Sequence, residues 1–153
     1  MPTRFIFAIL IGIILVSYFF LTRSAGSPKT GTILLGGHQF TIEIADTMAL
    51  RNKGLSGRPS LAENAGMLFE FGSPGMHGFW MKGMQIPLDF VWIRENRVIG
   101  ITQNVMPEPG ASILKLHSYY PPNPADSVFE MNAGLVQKYG IRVGDSATIA
   151  SER

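Results

Sequence analysis

The sequence predicts an α+β fold that is mostly β: a compact barrel-like or sandwich domain of short strands with one or two short helices, after an N-terminal hydrophobic helix. Three observations predict it. Apolar residues alternate with polar ones through Phe40, Ile42 and Ile44, which is the period of a half-buried strand. Several apolar runs have strand length and no polar face, as expected of strands covered on both sides. The 17 glycines and 10 prolines cut the chain into short segments joined by turns.

Phe5 to Leu21 is a run of 17 uncharged residues between Arg4 and Arg23. A membrane-spanning helix needs roughly 17 to 25 such residues, whereas the apolar core of a cleaved signal has roughly 7 to 15. Residues 1–25 are therefore expected to anchor the chain in a membrane through residues 5–21. The alternative is export with cleavage near Ser24-Ala25-Gly26. A short head before one hydrophobic segment favours an extracytoplasmic domain, although the positive charges on both flanks do not decide the orientation. Residues 26–31 read as a linker and 32–153 as one β-rich domain, long enough to bury its own core.

Within that domain, Thr32 to Leu35 and Gln39 to Ala45 are expected as strands around the turn Gly36-Gly37-His38. Asp46 or Thr47 can cap a short helix that passes Leu50 and Arg51 and stops at Gly54. Pro59 and Pro74 punctuate what reads as a long irregular region. Phe79 to Met84, Leu88 to Arg94, Arg97 to Gln103 and Ser127 to Met131 are further expected strands, with Glu95-Asn96 as a tight turn. Ala133 to Tyr139 is expected as a helix closed by Gly140, and Ser146 to Ala150 as a last strand.

Taking Arg4 and Arg23 from the 13 basic residues leaves 11 against 11 acidic, so the domain is formally neutral and the basic pI comes from the targeting segment. A nucleic-acid partner loses its main electrostatic support. The absence of cysteine excludes disulfides, thiolate catalysis and cysteine zinc sites, and suits an oxidising compartment. No cofactor is expected, because phosphate-loop and dinucleotide fingerprints are lacking. No catalytic motif is recognised either: Gly54-Leu55-Ser56-Gly57 lacks the spacing of a nucleophile elbow.

Three segments carry a family resemblance: Arg51 to Leu61 (RNKGLSGRPSL), GMLFEF from Gly66 followed by FWMKGMQIPLDFVWI from Phe79, and DSVFEMNAG from Asp126 continuing to YGIRVGD. Together, over about Thr32 to Ile149, the chain resembles the bacterial and archaeal "domain of unknown function 192" family. The resemblance implies a small, mostly β, often exported domain and no established activity. It places the family's polar positions on Arg51, Arg58, Lys82, Asp89 and Glu130, with Trp80 and Pro87 as apolar markers. The resemblance also implies Asn, in many relatives, at the position that Gly83 holds in this chain.

Lys82, between Met81 and Met84, and Asp89, between Leu88 and Phe90, must each find water or a partner in an apolar setting. One reading gathers Lys82, Asp89, Glu130, Arg51 and Arg58 in a cleft beside Trp80 and Tyr120, where aromatic surface stacks on a saccharide or peptide and charges orient it. The plainer reading pairs each buried carboxylate with a nearby cation. A paired-carboxylate hydrolase built on Asp89 and Glu130 is a further alternative. Cu(I) bound by Met76, His77, Met81 and Met84 is another, against which core packing of the methionines stands as the simpler account, and no metal is expected. Finally, a β domain with the proline-rich loop Tyr119 to Pro124 suits an accessory partner of another envelope protein.

Overall fold

The computed structural model describes residues 27–151. The hydrophobic run Phe5 to Leu21 lies outside them, and among the described residues no helix is long and apolar enough to cross a membrane.

The strands are β1 (Lys29–Leu35), β2 (His38–Ala45), β3 (Ala65–Gly75), β4 (Leu88–Arg94), β5 (Arg97–Val105), β6 (Ala125–Asn132) and β7 (Ala147–Ser151). They form a single seven-stranded sheet in the order β5-β4-β6-β3-β2-β1-β7. All neighbours are antiparallel except β2 and β3. A parallel pair needs a long return connection. Here it carries helix α1 (Met48–Lys53), capped by the Thr47 hydroxyl, which accepts from the Leu50 N–H at 3.2 Å.

The sheet curls as a half-barrel until its two ends touch. Arg97 bridges Ser146, the Val98 N–H donates to the Asp145 carbonyl at 2.9 Å, and the Ala147 N–H donates to the Asn96 carbonyl at 2.8 Å. The barrel-like form is thus the one adopted, and a sandwich of two sheets is not.

Alternate residues of the central strands feed two cores. Val91, Ile93, Phe129 and Met131 point to one face, where Ile33, Phe40, Leu68 and residues of helix α2 (Leu135–Tyr139) complete a cluster. Leu88, Phe90, Trp92 and Val128 point to the other, where Leu50, Leu55, Phe79, Met81 and Met84 cover them. Both faces of β4 and β6 are therefore covered, which is why apolar residues fall on both sides of each strand, with Asp89, Ser127 and Glu130 as the buried polar exceptions.

Two expectations need correcting. Residues 65–75 are not irregular: β3 lies between β2 and β6, and only its Gly72-Ser73-Pro74-Gly75 tail resembles a loop. Conversely, Phe79 to Met84 is not a strand. Only Phe79 makes a bridge, to Tyr119, and the chain then turns at Lys82-Gly83. Its apolar residues are explained by lying over the sheet, not by joining it. Gly83 takes φ +65°, a conformation that Gly and Asn tolerate best, and its carbonyl accepts the Gly57 N–H at 2.9 Å. The Glu95-Asn96 turn holds, with φ of 51° and 60° at its two residues.

Candidate functional site

The segment that covers the second core leaves a gap beside α1. This cleft, of about 210 Å³, is lined by Arg51, Asn52, Lys53, Gly54, Leu55, Phe69, Phe71, His77, Gly78, Phe79, Trp80, Lys82, Met84 and Glu130. It is smaller than the roughly 300 to 1,000 Å³ of sites for drug-sized molecules, so it suits a ligand of about one ring.

Four of the seven residues singled out from the sequence meet there. Glu130 comes from β6, where it pairs across the sheet with Met67 on one side and Phe90 on the other. It is only 5% exposed, and among the described residues no hydrogen bond or ion pair reaches its carboxyl. Burial pushes that carboxyl up to about 8, because the charged form would lose its hydration inside the fold. Glu130 therefore stands as a neutral acid at neutral pH, able to donate a hydrogen bond.

Arg51 reaches the cleft from the last turn of α1. One terminal guanidinium nitrogen donates to the Asp46 carbonyl at 2.8 Å and the Glu70 carbonyl at 2.9 Å, while the group lies 5.4 Å from the centre of the Phe71 ring. Among the described residues its remaining N–H groups find no acceptor. Lys82 is exposed at the turn, and among the described residues no carboxylate pairs with it. Trp80 is 44% exposed, a large aromatic surface left facing solvent at the cleft.

The other three stand elsewhere. Asp89 neighbours Glu130 in the sheet but points to the opposite face, with Met131 as its cross-strand partner. Its two oxygens accept the Asn104 N–H at 2.8 Å and the Val136 N–H at 3.0 Å. The first bond closes a bulge in β5, where Asn104 has φ 54°. The second caps α2, whose own cap residue, Gly134, has no side chain to offer. Arg58 is engaged in a two-pronged ion pair with Glu43, at 2.5 and 2.6 Å, and the pair holds the Glu43 carboxyl below its usual range. Tyr120 is half-exposed and packs over Gly78 at the margin of the cleft.

Hence neither buried carboxylate forms the ion pair that the plainer sequence reading required. The hydrolytic alternative loses its geometry, since a sheet separates the Asp89 and Glu130 carboxyls and no single bond can lie between them. For copper, Met81 and Met84 are buried in the second core and Met76 is exposed, while His77 stacks on Phe71 with ring centres 3.6 Å apart. The His77 Nε2–H donates to the Ser73 carbonyl at 3.2 Å.

Lys53, Phe69 and Phe71 also line the cleft and were not singled out from the sequence, and His77, singled out there only as a copper ligand, lines it too. Met67, Phe69 and Phe71 do alternate with Leu68 and Glu70, a period-two signal that identifies β3 and the face carrying the aromatic residues.

The family model described as DUF192, Uncharacterized ACR, matches residues 32–149. Two solved structures are similar at 30% identity over 82% of this chain. One is a protein of Sinorhizobium meliloti 1021 provisionally described as a transcription regulator, matched over 98% of its own chain with a TM-score of 0.73. The other, from Novosphingobium aromaticivorans DSM 12444, is a protein of unknown function, matched over 94% with a TM-score of 0.68. No curated protein matches the chain.

Proposed function

Given that the chain belongs to the DUF192 family, we propose that its β-rich domain is a ligand-binding module, tethered to a membrane by residues 5–21 and facing the extracytoplasmic side. The ligand is a small saccharide or peptide fragment held in the cleft by Arg51, Trp80, Lys82 and Glu130. The observation that carries this reading is Glu130: a carboxyl that is almost wholly buried, lines the cleft and has no hydrogen-bond or ion-pair partner among the described residues, and so is available to a bound ligand. An unengaged ammonium and an exposed indole beside the same cavity support the reading.

Transcription regulation, by analogy with the description of the S. meliloti protein, is less favoured. A formally neutral domain has little net attraction for a phosphate backbone.

The two indoles supply the test. Trp80 borders the cleft, whereas Trp92 is buried and donates to Thr102 Oγ1 at 3.0 Å. In ¹⁵N NMR spectra of the full chain in lipid nanodiscs, a panel of monosaccharides and dipeptides should contain members that move the Trp80 indole signal and leave that of Trp92 in place. A panel that moves neither signal rejects the binding reading. Association with another envelope protein is the second reading, favoured by the exposure of Met76, Trp80 and Tyr120, which are 52%, 44% and 57% accessible.

A further inference from the structure

The cleft is chemically polarised. Glu130 is the only acid among its lining residues and lies deep, among Phe69, Phe79 and Met84. Three cations, Arg51, Lys53 and Lys82, also line it, and both lysines are exposed. Lys53 feels the charge of Glu43, but among the described residues neither lysine forms an ion pair. A cluster of cations that no ion pair among the described residues holds, bordering an aromatic pocket, is arranged to attract an anion. The buried carboxyl asks for something different at the inner end: an uncharged oxygen that accepts its hydrogen bond.

Resting on the binding reading above, we propose that the cleft selects a compact organic acid whose carboxylate is held by Lys82, Lys53 and the remaining N–H groups of Arg51, and whose hydroxyl or carbonyl oxygen accepts a hydrogen bond from the Glu130 carboxyl. A carboxylate entering the other way round would meet Phe69, Phe79 and Met84 instead of water, so the cavity fixes the ligand's direction as well as its charge. The high ionisation range of Glu130 keeps the inner donor in place at neutral pH. The free volume of about 210 Å³ limits the ligand to about one ring or two amino acids. A sugar acid and the carboxyl terminus of a short peptide share this chemistry.

Matched probes separate these sources. The Trp80 indole signal of the full chain in nanodiscs is followed during titration with galacturonate, galactose and galactosamine, and with glycyl-alanine and its carboxy-terminal amide. The expected result is binding of at least one acid about tenfold tighter than its neutral counterpart, a preference weakened by salt and largely lost in Lys82→Ala. Preference within the sugar series alone assigns a saccharide source, and preference within the dipeptides alone a peptide source. Equal binding of acid and neutral probes overturns acid selection while leaving the cleft as a binding site. An acid preference that survives Lys82→Ala overturns the placement of the carboxylate. Silence from every probe overturns the binding reading itself.

Discussion

Asp89 and Glu130 are one register step apart on neighbouring strands and therefore face opposite sides of the same sheet, since Phe90 pairs with Glu130 and Asp89 with Met131. The two are buried to similar extents, but among the described residues only Asp89 has partners, its two oxygens each taking a backbone N–H. Their substitutions should behave in opposite ways.

Asp89→Ala leaves the N–H groups of Asn104 and Val136 without an acceptor at once. A loss of about 3 kcal/mol in unfolding free energy is expected, measured by urea denaturation. The β5 bulge and the start of α2 should lose amide-exchange protection first. A loss below about 1 kcal/mol would mean that water can replace the carboxylate.

Glu130 ties stability to pH. An unfolded carboxyl ionises near 4.5, whereas the folded one holds its proton up to about 8. Between these values the native state binds more protons than the unfolded chain, so this contribution is complete below about 4.5 and is lost as pH rises to about 8. Glu130→Gln removes the dependence. Relative to wild type, the variant should gain on the order of 3 kcal/mol between pH 4.5 and 8.5, read from paired urea melts. Parallel pH profiles for the two proteins would refute the assignment.

Lys82 is exposed and forms no ion pair among the described residues, so Lys82→Met should shift unfolding free energy by no more than about 0.5 kcal/mol. Binding of an acidic ligand should nevertheless weaken by about tenfold. A destabilisation of several kcal/mol would instead reveal a structural ion pair.

Gly66 sits where β3 runs between β2 and β6, and a methyl group there would overlap the Phe129 ring and the Glu130 carbonyl. Gly66→Ala should cost about 3 kcal/mol or prevent folding, because neither neighbouring backbone can retreat. Gly72→Ala, further along the same strand, meets nothing within 4 Å and should be nearly neutral, both variants being compared with wild type by urea denaturation.

Local chemistry made much of this fold legible. The alternation at Phe40, Ile42 and Ile44, the turn at Glu95-Asn96 and the glycine at 140 each answer to a nearby backbone requirement, and each appears where it was expected. β3 was obscured because Gly72 to Gly75 has the composition of a loop and because its pairing depends on partners distant in sequence. Phe79 to Met84 misled for the opposite reason. An apolar run without alternation fits a covered strand and a covering loop equally well, and only tertiary packing distinguishes them.

The same limit governs the site. Arg51, Lys82 and Glu130 come from three distant segments, and no spacing rule brings them together. A one-residue difference in register decides that Asp89 caps a helix while Glu130 enters the cleft.

The contact between the two ends of the sheet also constrains how the chain reaches its native state. Arg97 meets Ser146, while β7 pairs with β1 near the opposite end of the described chain. Curling is therefore incomplete until the last strand is in place, and intermediates lacking it expose strand edges to other chains. Such distant pairings place folding in the slow range of small domains, about milliseconds to seconds. A holding factor that shields β1 and β5 until β7 arrives would act at the step where aggregation competes most strongly with folding.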